Sequence, residues 1–217
     1  MTAYFISGQA ADEKMFENLT LPSNIEVRYI HWIEPLKNET LIGYSKRLTQ
    51  QMDLGKNFVL VGMSLGGIVA VELNKIIHPK QTIIISSIAT KDEIRPLFKF
   101  FKSTRLYKIV PAGFYKWYPP FLDWYFGAKT KREKALLRFY AKTISKNYMK
   151  WAINEVLNWK NEYRPENLFH IHGMADRVLP CKYTHADVKI KDGTHMMVHN
   201  RAEEISKILG EKLSMYP

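Results

Sequence analysis

Apolar runs with the length of β-strands recur along the chain. Most of them are continuous or nearly so, which is the pattern of strands that are covered on both faces. The runs occupy residues 3–6, 25–33, 58–61, 82–86, 168–171 and 186–190. We therefore predict a sheet of about six strands.

Helical patterns fill the intervals between these runs. A short pattern covers residues 12–19, a longer one covers 40–52, a third follows the 58–61 strand and ends before His78-Pro79, and an amphipathic one covers about 201–213. Strands that alternate with helices indicate a mainly parallel sheet with helices on both faces. We expect one α/β domain over residues 1–217, with its chemistry beyond the carboxyl ends of the strands.

A serine lies on the predicted turn between the third strand and the helix that follows it. The local sequence is Gly62-Met63-Ser64-Leu65-Gly66. A serine on such a turn projects its hydroxyl out of the fold, where the hydroxyl can attack a substrate. The two glycines are explained if a Cβ there would collide with the adjacent strand or helix. Since the amides at the start of the helix favour a developing negative charge, Ser64 is a candidate nucleophile.

Other strand ends carry polar or glycine residues at the same predicted edge. The first strand ends in Ser7-Gly8-Gln9-Ala10, the fifth ends in His172-Gly173-Met174-Ala175-Asp176, and the sixth is followed by Asp192-Gly193-Thr194-His195. A serine, an aspartate and a histidine thus emerge from successive strand ends in that chain order. We expect Ser64, Asp176 and His195 to meet at this edge of the sheet.

These motifs resemble those of the α/β-hydrolase superfamily, and more loosely those of its small bacterial members. The order Ser, Asp, His along the chain is the order that this fold requires. The matching segments are residues 7–12, 62–67, 172–180 and 193–195. The resemblance spans nearly the whole chain except its middle, and it specifies the superfamily rather than the substrate.

The resemblance implies a role for each member of the triad. Ser64 would be the nucleophile, and His195 would be the general base that takes the hydroxyl proton and returns it to the leaving group. Asp176 would orient the imidazole and stabilise the imidazolium. A backbone amide from Leu65, directly after the nucleophile, would hold the oxyanion.

The second oxyanion donor follows the first strand. The resemblance implies the amide of Gln9, with the amide of Ala10 as the alternative. Both remain open because this chain has Ser7-Gly8 where many relatives have His-Gly.

Each assignment has a competitor in the sequence. Asp176 could be a turn or N-cap residue, and Asp192 is a poorly placed rival for the acid role because it is so near His195. His199 competes for the base role. The other histidines are interpreted as ordinary surface or strand-end residues, namely His31, His78, His170, His172 and His185. Cys181 is interpreted as a small buried or loop residue, since no local motif activates it.

Composition limits the class of protein. A chain of 217 residues with 46% hydrophobic content can bury a core as one domain. A single cysteine forbids an internal disulfide, and we expect no signal peptide, no membrane span and a cytoplasmic location. No metal-ligand spacing and no nucleotide-binding glycine pattern occurs in the sequence, so we expect no cofactor.

The middle segment, residues 91–164, is basic and rich in aromatic residues. It holds 17 of the 32 lysines and arginines, 6 of the 21 acidic residues and 18 of the 28 aromatic residues, so it carries the whole formal excess of +11. The resemblance implies an inserted helical lid here. Three interpretations remain open: a solvated basic face over a small helical core, an apolar substrate pocket, and contact with an anionic membrane.

Membrane contact is suggested by basic and aromatic residues that interleave at Lys99, Phe100, Phe101, Lys102, Arg105 and Tyr107. The aromatic stretch from Phe114 to Phe126, which includes Tyr115, is where a pocket would form. A high net charge alone describes solubility and non-specific association. Since no nucleic-acid-binding signature accompanies the charge, we expect no nucleic acid partner.

We predict a serine hydrolase that acts on a small-molecule ester or related acyl compound, with an apolar portion, through an acyl-enzyme. The alternatives are a lyase or carbon-carbon bond hydrolase that keeps the triad, and a catalytically silent ligand-binding member. The sequence makes no prediction of oligomeric state.

Overall fold

A parallel sheet forms the centre of the fold. The computed structural model describes residues 1–104 and 117–216. The strands are β1 (Thr2–Ile6), β2 (Glu26–Ile30), β3 (Phe58–Met63), β4 (Gln81–Ile85), β5 (Leu168–Gly173) and β6 (Val188–Ile190). They are hydrogen-bonded in the order β2-β1-β3-β4-β5-β6, and every neighbouring pair is parallel. The predicted α/β class with six mainly parallel strands is confirmed.

The central strands match their predicted runs better than the edge strands do. Every residue of β1, β3, β4 and β5 is buried, as expected for strands with a neighbour on each side. The edge strand β2 has three exposed residues and ends at Ile30, short of the predicted end at residue 33. It ends there because its one partner, β1, ends at Ile6 directly opposite.

Helices cover the sheet and its carboxyl edge. They are α1 (Leu41–Leu48), α2 (Leu65–Asn74), α3 (Pro96–Thr104), α4 (Phe121–Phe126), α5 (Lys131–Thr143), α6 (Lys146–Asn158), α7 (Met197–Asn200) and α8 (Ala202–Leu213). The predicted 12–19 helix is a short 3-10 helix at Glu13–Phe16. In α2 every residue is buried, because this helix packs against β3, β4 and α1.

Two apolar clusters lie on opposite faces of the sheet. Side chains alternate along β1, so Tyr4 belongs to one cluster and Phe5 belongs to the other. The middle segment contributes to both clusters, through Tyr148 of α6 on the first side and Tyr140 of α5 on the second. Helices α5 and α6 are therefore packed into the same two cores as the sheet.

Part of the middle segment lies outside the described residues. Among the residues singled out in the sequence, this applies to Arg105, Tyr107, Phe114 and Tyr115. In the described ranges 1–104 and 117–216, no helix has both the length and the apolar character that crossing a bilayer requires.

The strand register brings the functional strand ends to one edge. Ile6 of β1 pairs with Gly62 of β3, and Met63 of β3 pairs with Ile85 of β4. On the other side, Gly173 of β5 pairs with Ile190 of β6. The turns that follow these strands therefore emerge side by side, as the sequence predicts.

Candidate active site

Ser64 lies between the last residue of β3 and the first residue of α2. Its backbone has φ 52° and ψ −119°, a combination that a residue with a Cβ adopts only at an energetic cost. Its N–H donates to the carbonyl oxygen of Ile85 over 3.0 Å. Its own carbonyl oxygen accepts from the Ser87 hydroxyl over 2.6 Å. These bonds to β4 and to the residues beyond it hold the strained turn in place.

The two glycines of the turn are required by close backbone contacts. A Cβ at Gly62 would overlap the backbone of Gly66, at the start of α2. A Cβ at Gly66 would overlap the carbonyl oxygens of Ile6 and Ser7, at the end of β1. The first glycine lets the helix cross the strand, and the second lets the helix approach β1.

A continuous series of hydrogen bonds connects Ser64, His195 and Asp176. The Nε2 atom of His195 lies 2.9 Å from the Ser64 hydroxyl oxygen, and its Nδ1 atom lies 2.8 Å from Asp176 Oδ2. Because a carboxylate only accepts hydrogen bonds, Nδ1 carries the proton in the neutral ring and Nε2 is free to accept from the serine hydroxyl. This is the arrangement in which an imidazole can act as a base toward Ser64.

The carboxylate of Asp176 is fully buried and held from its other side. Its Oδ1 atom accepts the backbone N–H groups of Val178 and Leu179, each over 2.9 Å. The Oδ1 atom of Asp176 thus stabilises the loop that follows it, as the side chain of a turn residue does. Its Oδ2 atom faces His195. The two sequence interpretations of Asp176 are compatible, because one oxygen serves each purpose.

The rival residues lie elsewhere. Asp192 is exposed. His199 is buried in α7, with its Nε2 atom 3.2 Å from a Glu17 carboxylate oxygen and its Nδ1 atom 3.8 Å from Glu133. The ring of His199 therefore connects α7 to the Glu13–Phe16 turn and to α5 rather than to Ser64.

The loop after β1 lies beside Ser64. A Cβ built on Gly8 would be 3.5 Å from the Ser64 Cβ, so the two backbones nearly touch. Gln9, Ser64 and Leu65 line a common cavity, so the two residues expected to supply the oxyanion amides border the same space as Ser64. Ala10 has a positive φ of 66° and lines a second cavity together with Gln9 and Ser64.

Trp32 anchors this loop, and the sequence did not point to it. Its indole N–H lies 2.9 Å from the Gly8 carbonyl oxygen and 3.1 Å from the Ser7 hydroxyl. The hydroxyl of Ser7 in turn donates to the carbonyl oxygen of Ala11. Trp32 follows β2, next to β1 in the sheet, so its proximity to the loop depends on a strand order that local sequence does not reveal.

His172 lies at the end of β5, as expected, but neither His170 nor His172 is a surface residue, and that part of the expectation is wrong. Both are completely buried. The Nε2 atom of His172 lies 2.7 Å from the Leu179 carbonyl oxygen and 3.6 Å from Asp176 Oδ2, and its Nδ1 atom lies 3.0 Å from His170 Nε2. A carbonyl oxygen only accepts, so His172 donates to Leu179 and accepts from His170.

Burial keeps both rings neutral. It lowers the pKa of His170 to about 2 and also lowers the pKa of His172, because charging an imidazole away from water is costly. The sequence did contain a sign that the two histidines are buried together. Residues two apart on a strand share a face, and β5 is a buried strand. The exposed histidines are His31, His78 and His185.

Two apolar cavities meet at Ser64. The aromatic cavity, of about 370 Å³, includes His195, Leu122, Tyr125 and Phe126 in its wall. The aliphatic cavity, of about 300 Å³, shares Gln9, Ser64 and Val178 with the aromatic cavity. Its wall includes Leu65, Ile68, Phe98, Ile153, Val156 and Leu157. Neither wall includes a lysine, arginine, aspartate or glutamate among the described residues.

The aromatic cavity reaches under the middle segment. Trp117, Tyr118 and three residues of α4 contribute to its wall. Four methionines line it as well: Met15, Met63, Met149 and Met196. Methionine adapts to irregular shapes because its side chain is unbranched and flexible. This wall can therefore adjust to apolar groups of different outline.

Comparison with known proteins agrees with this fold. The chain matches the model of the alpha/beta hydrolase family over residues 27–208, and it belongs to that family. No curated protein matches the chain in sequence.

Several solved structures share the fold. MenH from S. aureus has a TM-score of 0.69 at 18% identity, covering 97% of this chain and 92% of that chain. A hydrolase from Pseudomonas aeruginosa PA01 has a TM-score of 0.68 at 13% identity, covering 98% and 89%. A thermophilic esterase from Thermogutta terrifontis, with malate bound, has a TM-score of 0.65 at 15% identity, covering 99% and 90%. At these identities the similarity shows a common fold.

Proposed function

We propose that this protein is a serine hydrolase that cleaves a carboxylic ester or a related acyl compound through an acyl-enzyme. One observation carries the proposal: the hydrogen-bonded series from Ser64 through His195 to Asp176 starts where two apolar cavities meet. A structural serine at a tight turn has no need of a buried imidazole and carboxylate in series behind it.

The residues have separate roles in the proposed reaction. His195 Nε2 accepts the hydroxyl proton while Ser64 Oγ bonds to the carbonyl carbon of the substrate. The bond from that carbon to the leaving oxygen then breaks, and His195 returns the proton to the leaving oxygen. A water molecule then attacks the acyl carbon while His195 takes its proton. The bond from that carbon to Ser64 Oγ breaks, His195 returns the proton to Ser64, and the acid is released. Asp176 holds the ring in the required tautomer and stabilises the imidazolium.

The negative charge on the substrate oxygen needs donors that are in place before the reaction. We assign this role to the backbone amides of Leu65, at the first position of α2, and of Gln9, after β1. The first amides of a helix have no partner within the helix, which leaves the Leu65 amide available. Trp32 supports the second donor through its bond to Gly8.

The proposed substrate is a small molecule with an apolar portion. The proposed lid is the part of the middle segment that lies over the aromatic cavity. Apolar walls without charged side chains favour burial of hydrocarbon groups. They disfavour a substrate that would place a free carboxylate in the aromatic cavity, since an unpaired buried charge is costly.

Substitution of the triad tests the proposal directly. Ser64→Ala should lower the rate of 4-nitrophenyl butyrate hydrolysis by roughly 10⁴-fold or more, and His195→Ala should lower it comparably. His199→Gln is the matched control, because His199 lies away from Ser64 and should keep the rate. Urea unfolding of each variant shows whether the fold is intact.

The outcomes are distinct. Full activity in folded Ser64→Ala would contradict the proposal, and activity that survives in His195→Ala but not in His199→Gln would transfer the base role to His199. A Ser64 hydroxyl that reacts with a phosphonate while no ester is turned over would favour the lyase or carbon-carbon hydrolase alternative.

A further inference from the structure

The two cavities share part of their walls and then separate. Gln9, Ser64 and Val178 line both. Of the groups proposed to act on the substrate, His195 lines the aromatic cavity and Leu65 lines the aliphatic cavity. His195 therefore borders only the aromatic cavity, and Leu65, whose amide is a proposed oxyanion donor, borders only the aliphatic cavity.

The chemistry of acyl transfer makes this asymmetry informative. When the acyl-enzyme forms, the leaving oxygen must take its proton from His195 Nε2, so that oxygen lies on the imidazole side of the carbonyl carbon. The acyl chain stays bonded to the carbonyl carbon, whose oxygen is held by the amides. The chain must then extend away from the imidazole.

We propose that the aliphatic cavity binds the acyl chain and the aromatic cavity binds the leaving alcohol. The assignment rests on the proposed function and adds a substrate class: an ester with an apolar group on each side of the carbonyl. A simple acetate would leave the aliphatic cavity empty. A methyl ester would leave the aromatic cavity empty in the same way.

Helix α6 forms one wall of the acyl cavity. Ile153, Val156 and Leu157 are spaced so that they project from one face of the helix, and all three line this cavity. Phe98 of α3 lines the same cavity, and so does Ile68 of α2, the helix that follows β3. Within the middle segment, α3 and α6 thus determine the specificity for the acyl chain, and α4 determines the specificity for the alcohol.

A matched pair of substitutions separates the two cavities. Ile153 and Leu122 are both half-buried, so each can be replaced by tryptophan without filling a fully buried core position. Ile153→Trp narrows the aliphatic cavity, and Leu122→Trp narrows the aromatic cavity. Urea unfolding establishes that each variant is folded before its kinetics are compared.

Two ester series serve as probes. One series keeps the 4-nitrophenyl group and lengthens the acyl chain from acetate to decanoate. The other keeps a butyryl group and lengthens the alcohol from ethanol to decanol, with acid release followed by titration. Ile153→Trp should lower kcat/KM for the longest acyl chains by about 10- to 100-fold relative to the acetate, and it should leave the ratio of kcat/KM between the decyl and ethyl esters of the alcohol series unchanged. Leu122→Trp should lower the decyl-to-ethyl ratio instead and leave the ratio between decanoate and acetate unchanged.

Other results would overturn the assignment. If Ile153→Trp instead restricts the alcohol series, the two cavities have the opposite roles, and if each variant affects both series equally, the division is wrong. In both cases the wild type still turns over esters, so the serine hydrolase proposal stands. Wild-type protein that hydrolyses no member of either series removes the assignment together with the proposed function.

Discussion

His170 and His172 lie side by side on β5 with no exposed surface. Their lowered pKa values have a consequence for stability that is separate from catalysis. In the unfolded chain a histidine takes up a proton near pH 6.5, whereas folded His170 stays neutral until about pH 2. Between these values the unfolded state binds more protons, so stability is complete above pH 6.5 and falls as the pH falls.

The pH dependence of unfolding checks this. Below pH 6 the buried His170 ring should cost about 1.4 kcal/mol of unfolding free energy per pH unit. His170→Gln removes one titrating ring, so its urea-unfolding free energy should fall less steeply than that of the wild type between pH 6 and pH 5. Equal slopes for the two proteins would contradict a neutral, buried His170.

At the residue scale, local motifs were predicted and long-range partners were not. Ser64, Asp176 and His195 follow from strand ends and chain order, which a sequence displays. Trp32 and the bond between His172 and Leu179 depend on which strands are neighbours and which face is covered. The sequence alone left that information open.

The strand β3, its turn and helix α2 form the element on which the site is built. Helix α2 begins at Leu65, directly after the serine, and Gly66 and Gly67 belong to its first turn. Buried continuous runs predicted the central strands closely. Edge strand ends were less predictable, since a strand ends where its partner ends.

Gly66→Ala should strongly destabilise this element, by several kcal/mol, because the added Cβ would overlap the backbone carbonyl oxygens of Ile6 and Ser7, which cannot move aside. Gly210→Ala is the matched control in α8. There the added Cβ would contact the Pro22 ring at 3.7 Å, and alanine should stabilise the helix by about 0.5–1 kcal/mol. Urea unfolding measures both, and a Gly66→Ala protein as stable as wild type would contradict the close approach of α2 and β1.

Across the whole molecule, the middle segment joins both apolar cores and also forms walls of both cavities. The sequence predicted a helical, aromatic insertion there. It could not predict two cavities, because their walls combine α3, α4 and α6 with the turn after β1. Aromatic side chains of this segment are exposed at Trp117, Phe121 and Trp124, and contact with an anionic membrane stays a prediction.

The most direct test of the central claim is mass spectrometry of the folded protein after reaction with a fluorophosphonate. A serine that is activated by an imidazole and a buried carboxylate reacts with such probes, whereas an ordinary surface serine does not. We predict one adduct, on the peptide that contains Ser64, and its loss in His195→Ala. A folded wild-type protein that acquires no adduct at Ser64, or acquires one equally well without His195, would contradict the account.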